Sequence, residues 1–454
     1  MSDPQQKAAE IRTNRLSPEQ YAENFADMHP PLDRRQAAVE ADRCYFCHDA
    51  PCIEACPTGI DIPSFIHKIS TGNVRGSART ILEENIFGAI CARVCPTEML
   101  CEQSCVRNCD EHKPVTIGAL QRYATDNVLE SGTQLFTRGP DTGKTIAVVG
   151  GGPAGVSCAH RLALMGHKVV IFEAAEKLGG LNEYGLAAYK VVDEIARREM
   201  EYILAIGGIE VRHGKALGRD FTLDDLRGRY DAVFLGMGLG GVNQLGLESE
   251  DIEGVHDAVD YIAQIRQARD LGTLPVGRRI VVIGGGMTAI DIAVQTKGLG
   301  AEDVMMAYRR GAEHMGASEL ECDLAQTNGV KIKHWAAPIR LLSRNGRVSG
   351  VEFEYTRLDD NGRLGRTGET FTVEADMVFK AIGQRFLASD LDGAAEMLEL
   401  DRGRIAVDEN RRSSLDDVWA GGDCVAGGED LTVAAVQDGK IAAQAIDRYL
   451  SEQN

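Results

Sequence analysis

The 454-residue sequence predicts an α/β protein, with a helical N-terminal domain followed by two doubly wound dinucleotide-binding domains, one inserted in the other. Three observations predict this. Nine of the twelve cysteines lie between Cys44 and Cys109. Two short apolar strands each run into a triple-glycine turn and an apolar helix. A late strand ending Gly421-Gly422-Asp423 precedes a long helical pattern that returns to complete the first dinucleotide domain.

Composition narrows the function classes. Hydrophobic residues make up 44%, enough for proper cores, and the 50 glycines often follow apolar runs, where backbone can approach a nucleotide. A net charge of −19 argues against nucleic acid and anionic membrane surfaces as partners. No apolar run approaches the roughly 20 residues that span a bilayer. Residues 1–40 are polar, with no apolar signal core, so a soluble, cytoplasmic chain is expected.

Taken in order, Pro18–Met28 and Asp33–Ala41 read as helices of an arm that packs on a neighbour or stays disordered. The cysteines follow. Cys44, Cys47, Cys52 and Cys56 lead into Pro57, and Cys91 and Cys95 lead into Pro96, with Cys101, Cys105 and Cys109 beyond. A cysteine run closed by Cys-Pro is the ferredoxin-type signature of iron–sulfur ligation, although the middle spacing here is four residues instead of two. A disulfide framework lacks its oxidising compartment, zinc knuckles would need more than one Cys-x2-Cys pair, and helical-spacing core thiols account only for the last three. Between the ligands, Asp61–Ser70, Ser77–Glu84 and Val115–Leu129 read as helices, and a Gly/Pro/Asp-rich linker closes a domain at 1–138.

Strand Thr145–Val149 then enters Gly150-Gly151-Gly152-Pro153-Ala154-Gly155, and strand Lys168–Phe172 ends at Glu173. Gly150 makes the turn, Gly152 admits a pyrophosphate, Gly155 lets helix pack on strand, and Glu173 stands where an acid holds a ribose. The pattern recurs from Arg279–Ile283 into Gly284, Gly286 and Thr288. After strand Asp303–Ala307 there is no acid but Arg309 and Arg310, which suit a ribose 2′-phosphate; solvated arginines are the alternative. Met377–Ala381 leads to a further nucleotide-facing glycine, Gly383. Asp423 suits a flavin's ribityl hydroxyls or, alternatively, a helix cap. The helix N-terminus near Thr432 and Val433 would favour charge on a reduced flavin. FAD is therefore expected at 139–272 and 385–454, and a nicotinamide nucleotide at 273–384.

This order of parts resembles the N-terminal half of dihydropyrimidine dehydrogenase and its separate bacterial PreT-type subunit. It is similar, more distantly, to the small subunit of bacterial glutamate synthase. The resemblance rests on Cys44–Pro57, Gly88–Thr97 and Thr116–Asp126 and covers about 30–454. It implies one [4Fe–4S] cluster on Cys44, Cys47, Cys52 and Cys105, and a second on Cys56, Cys95, Cys101 and Gln121. Cys91 and Cys109 are left over as packing residues. It further implies flavin contacts from Glu173, Leu181, Asp423 and Lys190, the last replacing an arginine. Arg309 and Arg310 resemble an NADPH site, with NADH use also open. The implied partner is an FMN-barrel subunit (PreA-type) that carries the pyrimidine site in a hetero-oligomer. The alternative partner is the glutamine-using chain of glutamate synthase. No side-chain acid or base is expected in the hydride step, so no catalytic residue is assigned.

Overall fold

The computed structural model describes residues 11–453 apart from 249, 388–390 and 392–396, so the first ten residues of the expected arm lie outside it. The chain divides into two compact units. One comprises residues 29–183, 193–241 and 386–454; the other comprises residues 1–28, 184–192 and 242–385.

The first unit holds the cysteine-rich helices and a five-stranded parallel sheet. The strands run Val418–Ala420, Ala232–Leu235, Thr145–Val149, Lys168–Glu173, Ile209–His213 across the sheet. Buried on both faces, its central strands are continuous apolar runs, as a parallel sheet requires. The C-terminal strand joins at the edge, with Trp419 opposite Phe234, so the final segment completes this sheet as expected. Helices Ile62–Ser70 and Val74–Glu84 start where Asp61 and Asn73 accept the backbone N–H of Ser64 and Gly76. Their inward faces include Phe65, Ile66 and Ile81, and they share one core with helix Ile117–Ser131 and the sheet's helices.

The second unit also carries a five-stranded parallel sheet, ordered Val255–Asp257, Met377–Lys380, Arg279–Ile283, Asp303–Ala307, Val330–Lys333. It adds an antiparallel sheet of Ala336–Arg344, Arg347–Leu358 and Leu364–Glu374 that the sequence reading did not foresee. Its extent differs from the expected 273–384. Val255–Asp257 pairs with Met377–Lys380, which moves the start to 242. Residues 11–28 belong here and not with the cysteine helices. Tyr21 is buried in this core, Arg12 bridges to Val276, and the Asn24 side chain donates to the Gly298 carbonyl. The first helix is Pro18–Asn24, shorter than expected because Phe25 already leaves helical geometry at its C-cap.

Candidate functional site

The first fingerprint folds as its residue types require. Gly150 has φ of +98° and a Cβ there would collide with the Gly236 carbonyl; a Cβ on Gly155 would collide with the Gly150 carbonyl. Helix Pro153–Leu164 starts on Gly152, which leaves its first N–H groups open to an anion. Glu173 is buried at the strand end, where its carboxylate accepts the N–H of Gly151 at 2.7 Å and of Ala175 at 2.7 Å. Each of its oxygens keeps a further lone pair for a hydroxyl.

Helix Thr432–Glu452 begins at the residues expected, with Val433 buried. Its N-cap is Leu431, without a side-chain bond, so Asp423 is not the cap. The Asp423 carboxyl is pushed up to about 7, by burial first and then by Asp430 and Asp438, with Arg404 opposing. Next to Leu181, Asn182 accepts a hydrogen bond from the Thr432 hydroxyl at 2.7 Å, while its Nδ2 is buried and without a partner. A buried amide donor left open fits a ligand that presents acceptors, as a flavin ring does.

On the nicotinamide side, Gly284 turns at φ of +152° against the Ala381 carbonyl, and helix Met287–Gly298 starts on Gly286, with Thr288 half-buried in its first turn. Gly383, at φ of +88°, accepts the Asn243 N–H through its carbonyl at 3.1 Å. Arg309 is exposed and Arg310 half-buried. Among the described residues neither guanidinium has a hydrogen-bond or ion-pair partner, and only their carbonyls are engaged, by Thr356 and Trp335.

Lys190, expected as a flavin contact, belongs to the second unit, and its ammonium sits in a buried triad 2.7 Å from Asp291 and 2.9 Å from Glu321. Tyr189 donates to the same Asp291 oxygen. Burial works against the lysine charge, but the two carboxylates outweigh it and hold its pKa above the ordinary value. The physical reason is local: a buried ammonium needs carboxylates, and helices Met287–Gly298 and Glu319–Thr327 supply them.

The cysteines gather in two groups. Cys44, Cys47, Cys52 and Cys105 line one pocket, with Ile62, Ile66 and Val115 among its other lining residues. Arg107 lies over the Tyr45 ring at its rim, 4.1 Å from the centroid. Among the described residues, no three His, Cys, Asp or Glu side chains converge closely enough for a single metal ion. Burial pushes the Cys52 thiol up to about 12, and Cys44 and Cys105 add to this. Metal binding there has to displace protons.

Cys56, Cys95 and Cys101 form the second group, each raising or sharing the electrostatics of another. The Cys95 thiol is raised first by its hydrogen bond with Cys91 and then by burial, so Cys91 packs directly on this group. Gln121 is buried and donates its amide to the Gly88 carbonyl at 2.8 Å, which leaves Oε1 as the atom open to a metal. Cys109 is exposed.

Two residues escaped the sequence reading. Glu199 is fully buried and accepts the Ala89 N–H at 2.7 Å and the Ile90 N–H at 3.3 Å, capping helix Gly88–Val94, which carries Cys91 and ends on Cys95. Burial pushes its carboxyl up to about 8 against those two hydrogen bonds. Lys440, buried on the C-terminal helix, reaches Thr58 and Glu84. No local pattern marks either residue, because the partners lie far along the chain.

Residues 21–133 match the family described as dihydropyrimidine dehydrogenase domain II, 4Fe-4S cluster, and residues 144–439 match pyridine nucleotide-disulphide oxidoreductase. The chain is 36% identical over 448 residues to the glutamate synthase [NADPH] small chain of Escherichia coli (strain K12), covering 94% of each. It is 35% identical over 430 residues to the NAD-dependent dihydropyrimidine dehydrogenase subunit PreT of the same strain, covering 94% of this chain and 98% of that one. Among solved structures, the thioredoxin reductase of T. acidophilum superposes with a TM-score of 0.53 at 21% identity over 68% of this chain and all of that one. Mycobacterium tuberculosis FprA in complex with NADPH superposes with a TM-score of 0.56 at 18% identity, covering 68% and 85%. These likenesses extend to the fold.

Proposed function

Since the chain belongs to the pyridine nucleotide-disulphide oxidoreductase family, joined to an iron–sulfur domain as in glutamate synthase small chains and PreT subunits, we propose that it is the electron-input subunit of a dihydropyrimidine dehydrogenase. It is an NAD(P)H-dependent oxidoreductase. When bound, NADPH, FAD and two [4Fe–4S] clusters would supply hydride and single-electron chemistry for an FMN-barrel partner that would reduce uracil or thymine.

The chain's own residues hold and orient. Gly150, Gly152, Gly155 and Glu173 would seat the dinucleotide, Asn182 and Asp423 would face the flavin's acceptors and hydroxyls, and Thr432 and Val433 present a helix N-terminus. Gly284, Gly286, Thr288 and Gly383 would seat the nicotinamide nucleotide, and Arg309 and Arg310 would receive its 2′-phosphate. Cys44, Cys47, Cys52 and Cys105 would hold one cluster, and Cys56, Cys95, Cys101 and Gln121 the other. The observation that carries the reading is the pocket lined by four thiols inside the segment that matches the dihydropyrimidine dehydrogenase cluster domain.

The glutamate synthase reading stays as the alternative because its small chain is 36% identical over almost the whole length. Uracil loss separates the two. The chain alone is expected to reduce an artificial dye with NADPH and leave uracil untouched, and an FMN-barrel partner is expected to start uracil reduction. Uracil turnover by the chain alone would overturn the division of labour. Glutamate formation with a glutamine-using partner, and none of the pyrimidine reaction with an FMN-barrel partner, would establish the alternative.

A further inference from the structure

We propose that Lys440 is a positioning residue that fixes the Cys56 end of the second cluster site to the flavin-side helix and raises the reduction potential of the group held there. The proposal rests on the reading that electrons pass from flavin to cluster.

The geometry lies within one compact unit. Lys440 stands on helix Thr432–Glu452 with its side chain 9% exposed. Its ammonium donates to the Thr58 carbonyl at 2.9 Å, to the Glu84 carbonyl at 3.4 Å and to the Glu84 carboxylate at 2.7 Å. These three acceptors match the three donors of an ammonium. Thr58 is itself buried, and its hydroxyl lies 3.3 Å from the Cys56 sulfur. The turn is closed by the Gly59 N–H donating to the Cys56 carbonyl at 2.9 Å. A movement of Lys440 therefore moves the Cys56 turn.

The other end of the same helix is fixed at the flavin side. Thr432 holds Asn182, and Asp438 accepts the Gly422 N–H at 2.8 Å. Eight residues of helix separate Thr432 from Lys440, a rise of roughly 12 Å. Gly439 lets the helix press against Ala154 in the fingerprint helix, so the root of Lys440 cannot drift. One rigid element thus touches both ends of the proposed transfer.

The charge argument gives a sign. A cluster gains negative charge on reduction, and a cation held at its rim in a low-dielectric setting favours the reduced form. Glu84 opposes this, but its side chain is 44% exposed, so water screens it more than it screens the lysine. Removing the cation has to lower the potential, and removing the counter-charge has to raise it.

The test uses the full chain, purified without oxygen, with iron analysis and an EPR-monitored redox titration. Lys440→Met is expected to move the second cluster's midpoint negative, lowering the reduced-to-oxidised ratio about tenfold at fixed potential, or about 59 mV for one electron. Glu84→Gln is expected to move it positive, and Lys440→Arg to stay within about threefold of wild type. Midpoints for Lys440→Met and Glu84→Gln that both match wild type, with iron content intact, would overturn the proposal. If Lys440→Met cannot retain iron, Glu84→Gln decides alone, and a negative or absent shift overturns it. Wild-type protein without a second cluster would instead overturn the ligand assignment on which the proposal rests.

Discussion

Arg309 lies exposed two residues beyond strand Asp303–Ala307, whose C-terminal end carries no acid. A charge-assisted contact with a phosphate is worth about 1.5–3 kcal/mol, which is about tenfold or more in kcat/KM. Arg309→Ala is therefore expected to cut kcat/KM for NADPH by at least about tenfold and to leave that for NADH within about twofold. Steady-state rates with both nucleotides check it, and equal losses would make the arginine plain surface.

Asp423 gives a pH-dependent outcome. Its folded pKa of about 7 exceeds the unfolded 3.8. The stability it contributes is thus full at low pH and is lost as pH rises through 7. Flavin-free Asp423→Asn is expected to melt above wild type at pH 8, with the gap closing toward pH 5. Thermal melts across that range would refute it if the gap were constant. At this scale the sequence spoke clearly about Glu173 and the fingerprint glycines, whose partners are near in the chain. It gave no sign of the Lys190 ion pairs, whose carboxylate Glu321 is 131 residues away, or of Glu199, which caps a helix 110 residues earlier. Periodicity carries no signal over such separations.

Among the elements, strand–turn–helix units were legible because one short stretch holds the strand, the glycines and the helix start. The antiparallel sheet of 336–374 was not. Charged and polar residues interrupt its strands, and Leu364–Glu374 is mostly exposed, so they lack the buried runs of the parallel sheets. The C-terminal helix offers a test in which two effects have opposite signs. Replacing a mid-helix glycine by alanine normally gains about 1 kcal/mol of helix propensity. At Gly439 the added Cβ would strike the Ala154 carbonyl and the Cys158 amide, which are backbone and cannot swing aside. Overpacking of that kind costs about 1–3 kcal/mol and should prevail. Gly439→Ala is expected to lower the melting temperature and weaken FAD retention, measured by calorimetry and by flavin released on dilution. A stabilised variant would mean that the two helices separate easily.

At the scale of the whole molecule, the interrupted order of nucleotide-binding segments was readable, because the C-terminal strand and Gly-Gly-Asp belong visibly to the first fingerprint. The membership of residues 11–28 was not, since a polar arm with a few apolar residues does not name its host. Among the described residues no helix is long and apolar enough to cross a membrane.

The arm has one consequence for biosynthesis. Tyr21 and Phe25 pack on a core around Tyr261, Ile290 and Leu299 that is made some 250 residues after them. At about 5–20 residues per second, some 250 residues of translation keep these side chains waiting for roughly 10–50 seconds. This unit is thus sewn from three separate stretches of chain, and it can close only after residue 385 has emerged. A gene fragment cut at its apparent borders would leave two of its three threads behind.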